Sequence, residues 1–217
     1  WRVHQAGRLD ADDEMRYGRR RGGRRCGAGG GGDVIHGGTG NDSISIGGSY
    51  GSYVYGEEGN DYFDLSRGTG SSWVYGGVGN DTYYVTNRYN AIVENAGEGT
   101  DLVKSTISWS LTSEALDPYG IPLVGGEVEN LQLLGTDDIN GTGNELNNVI
   151  TGNTGKNILD GGAGNDTLKG NGGNDTYVFG RGYGQDVINN LHVDSGVSVL
   201  QFNAGVLPTD VLVSRTS

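Results

Sequence analysis

The sequence has little of the material that usually holds a small protein together. Its single cysteine, Cys26, excludes an internal disulfide and a multi-cysteine metal site. Only 34% of the 217 residues are hydrophobic, and no apolar run approaches the roughly 18 residues that a membrane-spanning helix requires. Three prolines and the lack of a Gly-X-Y period exclude a collagen-like chain. Apolar burial alone therefore cannot support a fold, and the chain is either disordered or stabilised by something else.

Positive charge is scarce beyond the N terminus. Residues 1–27 hold eight arginines and four acidic residues, whereas the rest of the chain holds seven basic and 23 acidic residues, a formal charge of −16. Such a body repels nucleic acid and anionic membranes and attracts cations, so the sequence predicts a metal ion as its partner. Residues 1–27 are predicted to form a disordered basic arm, and docking of this arm onto the acidic body or onto nucleic acid is the alternative.

Glycine is abundant, at 43 residues, and it recurs with a nine-residue period. GGTGNDSIS at 37–45 is matched by GEEGNDYFD at 56–64 and GGVGNDTYY at 76–84. Less regular units begin at residues 28, 47 and 67, and five more begin at residues 143, 152, 161, 170 and 181. The repeats therefore predict a first array over residues 28–86 and a second over residues 135–190.

Each unit consists of six turn-forming residues followed by three extended residues, of which the middle one is apolar. Glycine supplies the positive φ angles of the turns, and small residues let turns stack at a strand spacing of about 4.8 Å. One inward residue per short strand predicts a flattened coil of parallel strands with two units in each turn. The predicted inward residues are Ile35, Ile44, Val54, Phe63, Val74, Tyr83, Ile150, Leu159, Leu168, Tyr177 and Ile188. Ile46 and the pair Leu65 and Ser66 fall between units, where bulges are expected.

Two segments depart from the period. Residues 87–134 form a spacer whose segments AIVE, TDLVKSTISWS and VENLQLL predict longer strands, with a loop at 117–126. This spacer either continues the coil or forms a strand-rich connector. Residues 191–217 are expected to be an extended flank that is cut short.

The recurring aspartate points to calcium. Calcium binds six to eight oxygens at about 2.3 to 2.6 Å, and it accepts both carboxylates and backbone carbonyls. Stacked glycine-rich turns expose carbonyls and bring one carboxylate from each turn close together, where the two repel unless a cation lies between them. We therefore expect the ion to replace the missing apolar core, rather than the aspartates only capping turns.

GGTGNDSIS, GGVGNDTYY and GGAGNDTLK resemble the calcium-binding nonapeptide GGxGxDxUx of the repeats-in-toxin (RTX), or hemolysin-type, proteins. The connecting segment that begins GNELNNVIT and the trailing GYGQDVIN also resemble the flanks of such repeats. The resemblance implies an all-β fold, a right-handed parallel β-roll (β-solenoid) with two arrays and a strand-rich spacer. It also implies several bound calcium ions, folding on calcium binding outside the cell, and secretion through type I secretion machinery in the parent protein.

On such a roll, units i and i+2 share an edge, so the side chains at the sixth position of the units pair by parity. These predicted metal ligands are Asp33, Asp42, Asp61, Asp81, Asn148, Asn157, Asp166, Asp175 and Asp186. The predicted carbonyl ligands are the turn glycines Gly38, Gly40, Gly59, Gly77, Gly79, Gly162, Gly164 and Gly173. The two-carboxylate sites are expected at Asp42 with Asp61, Asp61 with Asp81, and Asp166 with Asp186. Mixed sites follow at Asn148 with Asp166 and Asn157 with Asp175. The edge that pairs Asp33 with Ser52 and Ser72 is expected to bind calcium poorly.

No catalytic residue is predicted. GGSYG at 47–51 fits the nucleophile pattern G-x-S-x-G, but the repeat follows it in place of a helix, and the three histidines are isolated. The alternatives are a C-terminal portion of a secreted hydrolase or alginate epimerase, and a segment of a repeat adhesin or surface-layer protein. Aromatic residues around Trp73 leave polysaccharide as a second partner, although an aromatic ladder that covers the roll is the commoner reason for them.

Overall fold

The computed structural model describes residues 14–15, 25–30, 32–48, 51–67, 71–112, 126–189, 197–207 and 209. Most of the predicted basic arm and nearly all of the predicted loop at 117–126 lie outside these residues. Within the described part of the chain, no helix is long and apolar enough to cross a membrane.

The strands, numbered β1 to β19 in chain order, form three parallel sheets. One five-stranded sheet consists of β1 (Glu14–Met15), β3 (Val34–Thr39), β5 (Tyr53–Glu58), β7 (Trp73–Val78) and β9 (Ala91–Val93). A nine-stranded sheet consists of β2 (Arg25–Gly30), β4 (Ser43–Gly48), β6 (Tyr62–Asp64), β8 (Thr82–Val85), β10 (Leu102–Ser105), β12 (Asn130–Leu133), β14 (Val149–Thr151), β16 (Thr167–Lys169) and β18 (Val187–Ile188). A second five-stranded sheet consists of β11 (Trp109–Ser110), β13 (Gly141–Thr142), β15 (Ile158–Asp160), β17 (Thr176–Phe179) and β19 (Val199–Phe202).

The strands alternate between the two faces of a flattened coil, because even-numbered strands pair with even-numbered strands and odd-numbered with odd-numbered. Equivalent residues of neighbouring turns are 18 residues apart over most of the second array, as for Asn157 and Asp175, and 20 apart for Asp166 and Asp186, where two extra residues are inserted. In the first array the separation rises to 19 for Asp42 and Asp61, where one extra residue is inserted. The prediction of an all-β parallel roll with two nonapeptides in each turn is confirmed.

The core is a thin double row of side chains between the two faces. The predicted inward residues are 0–1% exposed, apart from Ile188, which is half-buried and packs against the same cluster. Ile46 and Leu65 are also buried, because each lies two residues beyond an inward residue and so points to the same face. The bulge predicted at Ile46 is wrong, since β4 pairs with β2 in unbroken register through this residue.

The spacer is paired with both arrays. β10 pairs with β8 on one side and β12 on the other, and β12 pairs with β14, so the nine-stranded sheet runs through the spacer without a break. The longer strands predicted here are wrong: TDLVKSTISWS divides into the short strands β10 and β11 at a bend over residues 106–108. At the other end, β2 begins inside the predicted arm and aligns Cys26 with Ile44. The domain boundaries themselves stay predictions.

Candidate metal centre

A row of buried carboxylates runs along one edge of the nine-stranded sheet. Four aspartates each stand immediately before a strand of this sheet and are only 1–4% exposed: Asp42, Asp61, Asp81 and Asp101. The Oδ1 atom of each of the last three accepts the backbone N–H of the preceding aspartate, at 2.7, 2.6 and 2.7 Å. We call these four residues the carboxylate row. The structure thus brings Asp42, Asp61 and Asp81 together.

The second carboxylate oxygens point at the glycines that open each repeat. Oδ2 of Asp61, of Asp81 and of Asp166 is buried and has no hydrogen-bond partner in the described structure. A Cβ added at Gly56 would collide with Asp61 Oδ2 and with the carbonyl oxygen of Gly76 in the next turn. The absence of a side chain at this glycine therefore leaves a small cradle in which a carboxylate oxygen and a carbonyl oxygen converge. Such an unsatisfied, all-oxygen donor set fits a hard cation such as calcium.

The row is electrostatically strained without a cation. Burial, together with repulsion by the neighbouring carboxylates and against the opposing backbone hydrogen bonds, raises the pKa of Asp61 to about 6 and that of Asp81 to about 7. Burial also raises the pKa of Asp101 and of Asp166 to about 6. Desolvation disfavours the charged form of each group, so a cation in the row would recover free energy that the ion-free fold loses.

Sequence reasoning missed the extension of the row into the spacer. Asp101 belongs to AGEGTDLVK at 96–104, which fits the repeat with alanine in place of the first glycine and buried Val103 at the apolar position. Glu129 continues the same edge, since its Oε2 accepts the N–H of Asp101 at 2.7 Å. The period of the first array would have found Asp101, whereas Glu129 lies after a longer insertion and follows no period.

The opposite edge of the first array carries neutral side chains after Asp33. The Ser52 N–H is bonded to Ser72 Oγ at 3.3 Å, and the Ser72 N–H to Asn90 Oδ1 at 3.2 Å. Asp33 is buried beside this row, where its carbonyl accepts the N–H of Tyr53. The structure therefore brings no second predicted carboxylate to Asp33.

Each edge of the second array begins with asparagine and continues with aspartate. The Asn148 N–H donates to Asp166 Oδ1 at 2.7 Å, and the Asp166 N–H donates to Asp186 Oδ1 at 3.0 Å. On the other edge, the Asn157 N–H donates to Asp175 Oδ1 at 3.0 Å. All the predicted pairs of this array are therefore neighbours, and Asp186 is the least buried aspartate among them.

The amide groups of Asn148 and Asn157 have partners within the protein. Asn148 Nδ2 donates to the carbonyl of Glu129 and to Asn144 Oδ1, both at 3.0 Å. Asn157 Nδ2 donates in the same way to the carbonyl of Ile139 and to an asparagine side chain, at 2.6 and 2.9 Å. The Oδ1 atoms of both asparagines face the glycine that opens the repeat, as Oδ2 of Asp61 does, but each accepts a backbone N–H of its own repeat, from Asn144 and from Asn153.

The predicted carbonyl glycines all have positive φ, between 87° and 144°, as the turn prediction requires. Their role as ligands stays a prediction. The carbonyls that the structure directs at the carboxylate oxygens instead include those of Gly56 and Gly76, which open their repeats and which sequence reasoning did not select.

A family model described as "RTX calcium-binding nonapeptide repeat (4 copies)" matches residues 27–45, 46–71, 68–86, 142–177 and 151–186. The chain carries the RTX calcium-binding repeat. The matches cover both arrays and stop at residue 86 on one side of the spacer and begin at residue 142 on the other. Calcium is accordingly the cofactor of these repeats, and RTX repeats are typically non-catalytic. No curated protein matches the chain at a significant level.

Proposed function

We propose that the chain is a calcium-binding RTX module of a secreted bacterial protein, which folds when it binds calcium outside the cell and so supports type I secretion. The observation that carries this proposal is the set of buried, unpartnered Oδ2 atoms of Asp61, Asp81 and Asp166. Buried polar atoms normally have partners, and a carboxylate oxygen without one costs several kcal/mol of folding free energy. Calcium supplies the missing partner.

The proposed ligands are the sixth-position aspartates together with carbonyls of the repeat-opening glycines: Asp42, Asp61, Asp81, Asp166, Asp175 and Asp186. Asn148 and Asn157 are weaker candidates, because their amide groups already donate to protein oxygens. Asp33 is the weakest, since its neighbours on that edge are serines. The ions would neutralise the carboxylate row and join successive turns of the coil.

The energetics favour folding that depends on the ion. A site held at ten times its dissociation constant contributes about 1.4 kcal/mol, so roughly five such sites contribute about 7 kcal/mol. A whole domain is usually stable by only about 5 to 15 kcal/mol. Extracellular calcium modules bind at about 10⁻⁴ to 10⁻³ M. The module would therefore remain unfolded in the low calcium of the cytosol and fold in the millimolar calcium outside.

Calorimetry and circular dichroism test the proposal together, with calcium added from chelator up to about 10 mM and magnesium as the matched control. We expect cooperative uptake of several calcium ions together with a transition from coil to strand. Magnesium should produce neither, because it is smaller and dehydrates reluctantly. Full strand content in chelator would refute calcium-driven folding, and the lack of any calcium uptake would refute the binding site.

Polysaccharide binding is the less favoured second function. Tyr53 stacks on Trp73 at a centroid distance of 5.0 Å, and Tyr55 stacks on Tyr75 at 4.8 Å and on His36 at 5.0 Å. These rings cover one another's faces, which are the surfaces that a sugar ring would need. Binding of the chain to a polysaccharide array that is lost in Trp73→Ala would support this function, and no binding by the parent chain would end it.

A further inference from the structure

Three acidic side chains converge at the junction of the first array and the spacer. One carboxylate oxygen from each of Asp81, Glu94 and Asp101 lies within 4.8 Å of the other two. The three residues are only 1%, 4% and 1% exposed. Glu94 and Asp101 lie outside the residues that match the RTX repeat. A buried group of three carboxylates repels itself strongly unless a cation lies among them.

The coil itself brings Glu94 to this place. β9 pairs with β7 up to Val93 and Tyr75, so Glu94 is aligned with Gly76, the glycine that opens the preceding repeat. One turn earlier, Asp61 Oδ2 faces the carbonyl oxygen of Gly76. At the corresponding point one turn later, Asp81 is met by the side chain of Glu94. A third carboxylate has therefore taken the place where a repeat offers a backbone carbonyl.

Two carboxylate oxygens of the cluster are buried without a hydrogen-bond partner in the described structure. Asp81 Oδ2 and Glu94 Oε2 are buried without a hydrogen bond, and Glu94 Oε1 accepts the hydroxyl of Tyr83. A Cβ added at Gly76 would collide with Asp81 Oδ2, Glu94 Oε1 and the Tyr83 hydroxyl at once, so these three oxygens surround one point. No Lys or Arg side chain within the described ranges forms an ion pair with the cluster.

We propose that Asp81, Glu94 and Asp101 bind a calcium ion at the end of the first array, in a site where two of the three carboxylates lie outside the matched RTX repeats. The inference rests on the proposed calcium-dependent function. The donors are all oxygens, which selects a hard cation, and a site with three carboxylates binds calcium more tightly than one with two. This site is therefore the first that calcium fills, and it ties the first array to the spacer.

Glu94→Gln tests the inference in the full chain, with Glu98→Gln as the matched control. Both variants remove one negative charge from the same turn, but the Glu98 carboxylate accepts a hydrogen bond from Asn95 at 2.8 Å and does not belong to the cluster. In calcium calorimetry we expect Glu94→Gln to bind one ion fewer per chain, or to bind its tightest ion at least about tenfold more weakly. Glu98→Gln should keep the parent stoichiometry and change the affinity far less, because the Glu98 carboxylate acts on Asp81 and Asp101 only through space.

Urea unfolding separates a metal site from a purely structural role. Glutamine has the size of glutamate and lacks its buried charge. Glu94→Gln should therefore raise the urea midpoint in chelator, where trimethylamine N-oxide is added to populate the fold, and lower it in saturating calcium. A midpoint that falls in both conditions would overturn the inference. So would an unchanged calcium stoichiometry and affinity in Glu94→Gln while the parent chain still binds calcium. If the parent chain binds no calcium at all, the proposed function fails together with this site.

Discussion

The position of Asp61 predicts opposite effects of Asp61→Asn in the presence and in the absence of calcium. In the ion-free chain Asp61 is 2% exposed, and burial raises the pKa of its carboxyl from 3.8 to about 6. Near pH 7.5, holding this group ionised in the fold costs about 3 kcal/mol, since each pKa unit corresponds to about 1.4 kcal/mol. Asparagine removes that cost and keeps an Oδ1 that can accept the N–H of Asp42. We expect Asp61→Asn to be more stable in chelator by about 2 to 3 kcal/mol.

The sign reverses when calcium is bound. Asp61 is proposed to ligate two ions, one shared with Asp42 and one with Asp81. If both sites are lost, calcium at ten times the dissociation constant stabilises the variant by about 3 kcal/mol less than the parent. The curves of unfolding free energy against calcium concentration for the parent and the variant should therefore cross.

Urea unfolding followed by circular dichroism, from chelator to millimolar calcium, measures this crossing, with a constant concentration of trimethylamine N-oxide that populates the fold in chelator. Asp137→Asn is the matched control, because Asp137 is an exposed turn residue outside the carboxylate row and carries the same charge. A variant that is less stable at every calcium concentration would mean that Asp61 only caps its turn. In that case the argument from the unpartnered Oδ2 atom would be refuted.

Three further predictions follow from the same geometry. Burial raises the pKa of Asp81 to about 7 and of Asp61 to about 6, so protonation favours the folded state. As the pH falls from 8 toward 5, strand content in chelator should rise and calcium affinity should fall. Strand content that decreases over this range would contradict the assigned burial. Asn148→Asp replaces the amide that donates to the carbonyl of Glu129 by a buried charge, so the urea midpoint in chelator with trimethylamine N-oxide should drop by the equivalent of about 2 to 4 kcal/mol and recover in calcium. An unchanged midpoint would refute the amide's role. Gly56→Ala puts a methyl group into the cradle, so calorimetry should show weaker calcium binding, and urea unfolding in calcium should show a loss of about 1 to 3 kcal/mol in the free energy of unfolding. Unchanged calcium affinity would show that the cradle holds no ion.

The sequence predicts the coil well because the spacing of its glycines and the spacing of its apolar residues are each compatible with only one kind of backbone. Glycines at fixed intervals require turns with positive φ, and one apolar residue in nine can face inward only if the strands are short and parallel. The pairing of Asp42 with Asp61 then follows from two units per turn. Ile46 was misjudged because the nonapeptide frame treats it as an insertion, whereas the strand simply continues its alternation and buries a second residue after Ile44.

The sequence does not predict the positions of Glu94 and Glu129, because their contacts join turns of unequal length. Glu94 reaches Asp81 because β9 is aligned with β7 and because the turn from Glu94 to Asp101 is longer than that from Gly76 to Asp81. No sequence period connects such residues, so their proximity can be found only from the pairing register of the strands. The same applies to Glu129, which joins the carboxylate row after an insertion whose length the repeat does not fix.

The turns of this coil differ in what partners the buried side-chain oxygen at the sixth position of each repeat. At Asn148, Asn157 and Asp61, one oxygen of the sixth side chain faces the glycine that opens the repeat, beside a glycine carbonyl of the next turn. Where the sixth residue is asparagine, this oxygen accepts a backbone N–H of its own repeat, and the amide nitrogen donates to a carbonyl of the preceding turn. Where it is aspartate, as at Asp61 and Asp81, the corresponding Oδ2 has no partner in the described structure, and a cation is the partner that fits an all-oxygen site. The partner of this one oxygen thus separates the two kinds of turn, and we expect calcium dependence where the sixth residue is aspartate, at Asp61 and Asp81 in the first array and at Asp166 in the second.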